Sequence, residues 1–228
     1  MEEKMEAREL RTQSKFLAWL ENFWYHYKWH TIIGAFFLTV ILVCTVQCAT
    51  KESTDMTVSF CANAALGDAE REAVTKILGD ICPEDVDGDG KKTVTLNQHS
   101  IFSEEQLTKL YTEKNEESGE TKFDQSGYLS AKNYNTERIQ NLQNYVLTGE
   151  CAVWLVSEYV YTTMFDGKIV VVDSRPLSET WIYQTFDAIK ALPDGMMVIL
   201  TRPPHGTLAE DENFALAQGY FNALVNGD

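Results

Sequence analysis

Basic residues are scarce in this sequence: its 228 residues include 19 Lys and Arg against 34 Asp and Glu, a formal net charge of −15. No basic stripe is present to neutralise a phosphate backbone, which argues against nucleic acid as a partner. Cysteine is sparse too, five in all, and Cys44 and Cys48 fall within an apolar run. The three that remain, Cys61, Cys82 and Cys151, are an odd number that permits at most one internal disulfide, and the strand-like surroundings of Cys61 and Cys151 favour three free thiols. A disulfide scaffold is thereby excluded. With 13 Gly, 5 Pro, no low-complexity tract and no internal repeat, the chain is neither collagen-like nor disordered; 44% hydrophobic and 23% charged residues are globular values. Short catalytic signatures are missing as well: there is no G-x-S-x-G, H-E-x-x-H, Walker loop, G-x-G-x-x-G or C-x-x-C. The sequence therefore names no reaction. A pairing of His99 with a cysteine or of His205 with a serine stays open, as does an acid–base pair among Glu150, Glu158 and Asp173, because such groups converge in space rather than in sequence.

Charge is also absent from Thr31–Val46 (TIIGAFFLTVILVCTV), and with its flanks, residues 29–48, this run has the roughly 20-residue length of a membrane-spanning helix. Trp19, Phe23, Trp24, Tyr25, Tyr27 and Trp29 crowd its N-terminal side, where amphipathic rings favour the headgroup layer. Arg11, Lys15 and Lys28 precede the span closely, whereas only Lys51 follows it as closely, so the N-terminus is expected inside. The charged stretch before the run is long for a signal peptide, and Val46-Gln47-Cys48-Ala49 is a poor cleavage site, so an uncleaved anchor is the expectation. Residues 1–28 read as a cytoplasmic amphipathic helix through Phe16, Leu20, Phe23, Trp24 and Tyr27; the alternative is a membrane helix that starts early. That stretch holds five basic and five acidic residues, so the whole −15 falls on residues 49–228.

After a short linker, residues 49–55, strand and helix signals alternate from Met56 onward. Strands are expected at Met56–Ala62, Thr93–Ser100, Cys151–Val156, Ile169–Val172 and Met196–Leu200. The unbroken apolar run of the third marks it for the centre of a parallel sheet. Helices are expected after Asp68 as N-cap, over 104–114 behind a Ser103/Gln106 capping box, over Thr136–Leu147 with Gly149 as the stop, from about Ser178 to Ile189, and around Phe214–Leu224. Residues 115–129 read as a polar surface loop. About five strands alternating with about five helices give an α/β domain over 56–228, with a mostly parallel or mixed sheet flanked by helices.

Two sets of residues carry candidate chemistry. Asp85, Asp87 and Asp89 alternate ahead of Gly90, the opening of a calcium loop that the Lys91 carbonyl and Thr93 would continue. Leu96 stands where an EF-hand has its closing Glu, so the expectation is a weak structural Ca2+ site, and the competing reading is a solvated acidic turn. The second set, Asn63, Ser157, Glu158, Asp173, Ser174, Arg175, Thr201 and Arg202, lies at the ends of the expected strands, where open α/β sheets bind ligands. Ser157, Glu158, Arg175 and Arg202 are the candidate ligand-binding residues, the two guanidinium groups suiting carboxylate or phosphate.

The stretch Thr136–Phe165, a helix ending in Thr-Gly-Glu followed by Cys-Ala-Val-Trp-Leu-Val-Ser-Glu and a short helix, resembles the first lobe of extracellular solute-binding proteins. The resemblance covers about 30 residues and implies a ligand near the end of that strand. Tyr27-Lys28-Trp29-His30 before the span also looks like uncharacterised single-pass bacterial membrane proteins. Together these readings make the chain a membrane-anchored extracytoplasmic binding or interaction module of a bacterial cell envelope. Its expected partners are the lipid bilayer, through residues 29–48, and a small ligand or a membrane protein. An envelope enzyme and an assembly subunit of a membrane complex are the alternatives.

Overall fold

A computed structural model describes residues 15–50, 54–86, 88–114, 121–168 and 170–227. The chain forms two compact units, Met1–Glu52 and Ser53–Asp228. The described part of the first is one helix, α1 (Lys15–Thr50), which at 1.5 Å per residue is about 54 Å long. Its Trp19–Gln47 stretch is long and apolar enough to cross a membrane. The hydroxyls of Thr31 and Thr39 donate to the carbonyls of Tyr27 and Ala35 at 3.0 and 2.9 Å, so these polar side chains are satisfied within the helix itself. Trp19, Phe23 and Tyr27 stack along one face with ring centroids 5.5 and 5.3 Å apart. The helix runs unbroken through the expected boundary at residues 28 and 29, and the start of the expected amphipathic segment lies outside the described residues.

The second unit is α/β. Strands β1 (Met56–Ala62), β2 (Val94–Ser100), β5 (Val153–Ser157), β6 (Val171–Pro176) and β7 (Met196–Thr201) form a five-stranded sheet in the order β2-β1-β5-β7-β6. The pairs β1–β2 and β1–β5 are parallel, and β5–β7 and β6–β7 are antiparallel. The apolar β5 takes the centre, as its sequence predicts, but with one parallel and one antiparallel neighbour.

Period-2 alternation sends Val58, Phe60, Leu155, Val198 and Leu200 to one face. There they meet α2 (Asp68–Ile81) and the C-terminal α8 (Asp211–Asn226) through Val74, Leu78, Phe214, Phe221 and Leu224. Cys61, Trp154, Val156 and Ile199 face the other way, against Leu142 and Val146 of α4 (Gln125–Thr148) and against Val160 and Phe165. Two buried side-chain hydrogen bonds tie the layers: the Trp154 indole donates to the Thr201 hydroxyl at 2.9 Å, and the Tyr220 hydroxyl to the Leu78 carbonyl at 3.0 Å.

Several boundaries depart from the sequence reading. Gly67, not Asp68, is the N-cap of α2, its N–H bound by the Glu70 carboxylate at 2.9 Å. The capping box at Ser103 forms as expected, but α3 (Glu104–Leu110) stops early because Thr112–Lys114 (β3) pairs with Thr121–Phe123 (β4) in an antiparallel hairpin. Helix α4 starts eleven residues before the expected Thr136, with the Asp124 carboxylate accepting the Gly127 N–H at 3.0 Å. Its first turns expose Leu129 and Tyr134, so no apolar stripe announces them. The helix expected from Ser178 breaks at Phe186 (φ −115°, ψ 121°) into α6 (Trp181–Thr185) and α7 (Asp187–Lys190), and Thr180 is its N-cap. Strand β6 lies later than expected, with a bulge between Val171 and Asp173; Ile169 lies outside the described residues.

Candidate functional site

The acidic loop of residues 83–93 is organised by carboxylates that accept backbone N–H groups. Asp85 accepts from Gly88 and Gly90 at 2.7 and 2.8 Å, and Asp89 from Lys91 at 2.7 Å. Gly88 and Gly90 both adopt positive φ, the left-handed conformation that this winding requires. Asp55, just before β1, clamps the loop, its two oxygens accepting from Val86 at 2.7 Å and from Thr93 at 2.6 Å. A cation held by Asp85 would share that carboxylate with two amides. Asp87 lies outside the described residues, and among those described no group of three His, Cys, Asp or Glu is placed to hold a metal.

Of the candidate ligand-binding residues, Ser157, Glu158 and Arg175 lie toward one end of the sheet and Arg202 toward the other. Ser157 ends β5 and its hydroxyl accepts from the Val160 N–H at 3.4 Å, capping a short helix, Glu158–Val160 (α5), that begins with the exposed Glu158. Because β7 runs antiparallel, with Val153 opposite Leu200 and Ser157 opposite Met196, its carboxyl end and Arg202 lie at the opposite end of the strands from Ser157. Arg202 is a strut there: it donates to the Ala209 carbonyl at 2.9 Å, pairs with Asp211 and lies 4.8 Å from the Phe214 ring centroid. Arg175, opposite Val198 on the edge strand β6, forms an exposed ion pair with Asp173 at 3.2 Å. That pair borders a cleft of about 290 Å³ against Asn222 and Asn226 of α8. Ser174 contacts the Tyr161 hydroxyl at 3.2 Å, and Thr201 is engaged with Trp154.

A different constellation forms where the outer parallel strand ends. The last three residues of β2, Gln98, His99 and Ser100, with Arg138, Asn141, Leu142 and Tyr145 of α4, line a cavity of about 310 Å³. Strand β2 is the sheet edge, so the seam between α4 and the sheet opens there. The helix is pinned over it by Asn135, whose buried carboxamide accepts from the Phe102 N–H at 2.9 Å and donates to its carbonyl at 2.8 Å. One turn on, Arg138 donates to the Ser100 carbonyl at 3.1 Å and lies 4.4 Å from the Tyr134 ring centroid. No salt bridge engages Arg138 among the described residues, in contrast to Arg175 and Arg202. His99 pairs in register with Cys61, and its Nε2 is buried with no hydrogen-bond partner among the described residues. Burial first, and then the positive charge of Arg138, push its pKa below the ordinary histidine value, so the imidazole is neutral near pH 7.

Sequence reasoning offered His99 for a pairing with a cysteine; Arg138 and Asn141 escaped it. The available signal was that Arg138, Asn141 and Tyr145 each stand one position before a residue of the apolar stripe Ile139–Leu142–Val146, at its polar margin. The nearby thiols are not nucleophiles: burial pushes Cys61 well up and Cys151 to about 12, so both are protonated at neutral pH. Compared with protein-family models, curated proteins and solved structures, the chain matches none.

Proposed function

We propose that this chain is a single-pass, membrane-anchored binding module of a bacterial cell envelope, with its α/β unit outside and its ligand seat in the cavity between β2 and α4. One observation carries the reading: His99 and Arg138, an arginine that no carboxylate engages among the described residues, line the same cavity at the carboxyl ends of parallel strands. The carboxyl ends of parallel strands are also where α/β sheets hold their ligands.

The anchor is the Trp19–Gln47 stretch of α1, and the bias of Arg11, Lys15 and Lys28 before it sets the N-terminus inside. Orientation is tested by protease treatment of intact cells carrying a C-terminal epitope; protection of the epitope would reverse it. The binding reading is tested by thermal unfolding of the full chain in detergent micelles against a small-metabolite panel, since a ligand that binds only the folded state raises its stability. A stabilising metabolite supports the module, and silence across the panel moves the function to a protein partner in the membrane. The acidic loop enters this reading as a weak structural calcium site. In the same assay, a rise in Tm between chelator and millimolar calcium supports a cation there, and no rise returns the loop to a solvated turn.

A further inference from the structure

Resting on that reading, we infer that the β2–α4 cavity takes a small organic carboxylate, its charged end against Arg138 and its carbon chain against Leu142 and the Tyr145 ring. The argument is the charge of the wall. None of the seven lining residues is acidic, although the outer unit carries the whole net charge of −15. Arg138 spends donors on Ser100 and on the Tyr134 hydroxyl, and a guanidinium has five. The Asn141 side chain makes no hydrogen bond among the described residues.

A wall without an acidic residue around a fixed guanidinium selects an oxyanion. Stacking on Tyr134 and the Ser100 bond hold that guanidinium in place before any ligand arrives, so little ordering is lost on binding. Leu142 and the aromatic face of Tyr145 then separate a carboxylate with a short carbon chain from an inorganic anion, which has nothing to place against them. The cavity, about 310 Å³, lies at the small end of ligand pockets and admits a compact metabolite rather than a polymer.

The test is histidine-ring NMR of the full chain in detergent micelles, titrated with sodium propionate against sodium chloride at matched ionic strength. His99 resonances are expected to move saturably at millimolar propionate, while those of His26, His30 and His205 stay put. Arg138→Gln should weaken the response by about tenfold or more, the worth of one charge-assisted contact. Asn141→Ala, at an exposed position without hydrogen bonds, should melt as the wild type does and still bind several-fold more weakly. No saturable movement of His99, or folded R138Q and N141A chains that both respond as the wild type does, overturns the inference. A response to sodium phosphate without one to propionate overturns the carboxylate class while leaving the cavity as a ligand seat. Silence to both, together with silence across the metabolite panel, removes the binding reading itself.

Discussion

Replacing Asp55 by Ala removes both acceptors that close the acidic loop against β1, the Oδ1 that takes the Val86 N–H at 2.7 Å and the Oδ2 that takes the Thr93 N–H at 2.6 Å. A hydrogen bond to a charged group contributes about 1.5–3 kcal/mol. The Val86 bond is exposed, so water takes over when the carboxylate goes and its share sits at or below the low end. The Thr93 bond is part-buried and retains more of its value. The two together make D55A less stable by about 2–3 kcal/mol, and D55N, which keeps one acceptor oxygen, by about half that. In a unit of this length each kcal/mol moves the midpoint by about 2–4 °C, so D55A should melt about 5–10 °C below the wild type. D85A loses exposed bonds, those to Gly88 and Gly90 among them, and should lose less, about 1 kcal/mol. Differential scanning calorimetry of the full chain in micelles reads all three. A D55A midpoint within about 1 °C of the wild type, or a D85A loss larger than the D55A loss, would refute the clamp.

Gly149 ends α4 at φ +75°, and a Cβ there would stand 2.7 Å from Pro203 Cγ and 2.9 Å from the His205 carbonyl oxygen; G149A should therefore lose more than the roughly 1–2 kcal/mol of left-handed strain alone, and a urea midpoint equal to wild type would contradict this. His99 has a folded-state pKa below its ordinary 6.5, so just below that pH the unfolded chain binds more protons than the folded one. Its stabilising contribution is complete above pH 6.5 and is lost as the pH falls toward the folded value, so Tm should drop more between pH 7.5 and 5 in the wild type than in H99Q; equal drops would refute it. Cys61 and Cys151, fully buried and held protonated, should resist iodoacetamide at pH 8 in the native chain and react in urea, and native labelling at either would contradict their placement.

Much of the architecture was legible because local chemistry coincides with tertiary need. The apolar run at Cys151–Val156 can be satisfied by no position but one covered on both faces, and it lies at the sheet centre. Ser103 and Gln106 satisfy each other's backbone donors within one turn, so the start of α3 needs no distant partner. Less legible were elements whose reason is distant. The end of α3 answers to the Thr112–Lys114 pairing with Thr121–Phe123 across a polar stretch, and the first half of α4 buries too little apolar surface to leave a stripe.

What the sequence by itself determined is the apolar helix, the strand and helix inventory of the outer unit and its acidic balance, because periodicity, capping and charge are properties of neighbouring residues. Only the tertiary structure decided which functional groups meet. An alternating pattern reads the same whichever way a strand runs, so the antiparallel β7 carried Arg202 to the opposite end of the strands from Ser157 without any local sign of it. The meeting of His99 with Arg138, 39 positions on, depends on β2 taking the edge of the sheet and on Asn135 pinning α4 over it. Strand order and helix placement are set by how the whole core packs, which residues far apart in the chain decide together.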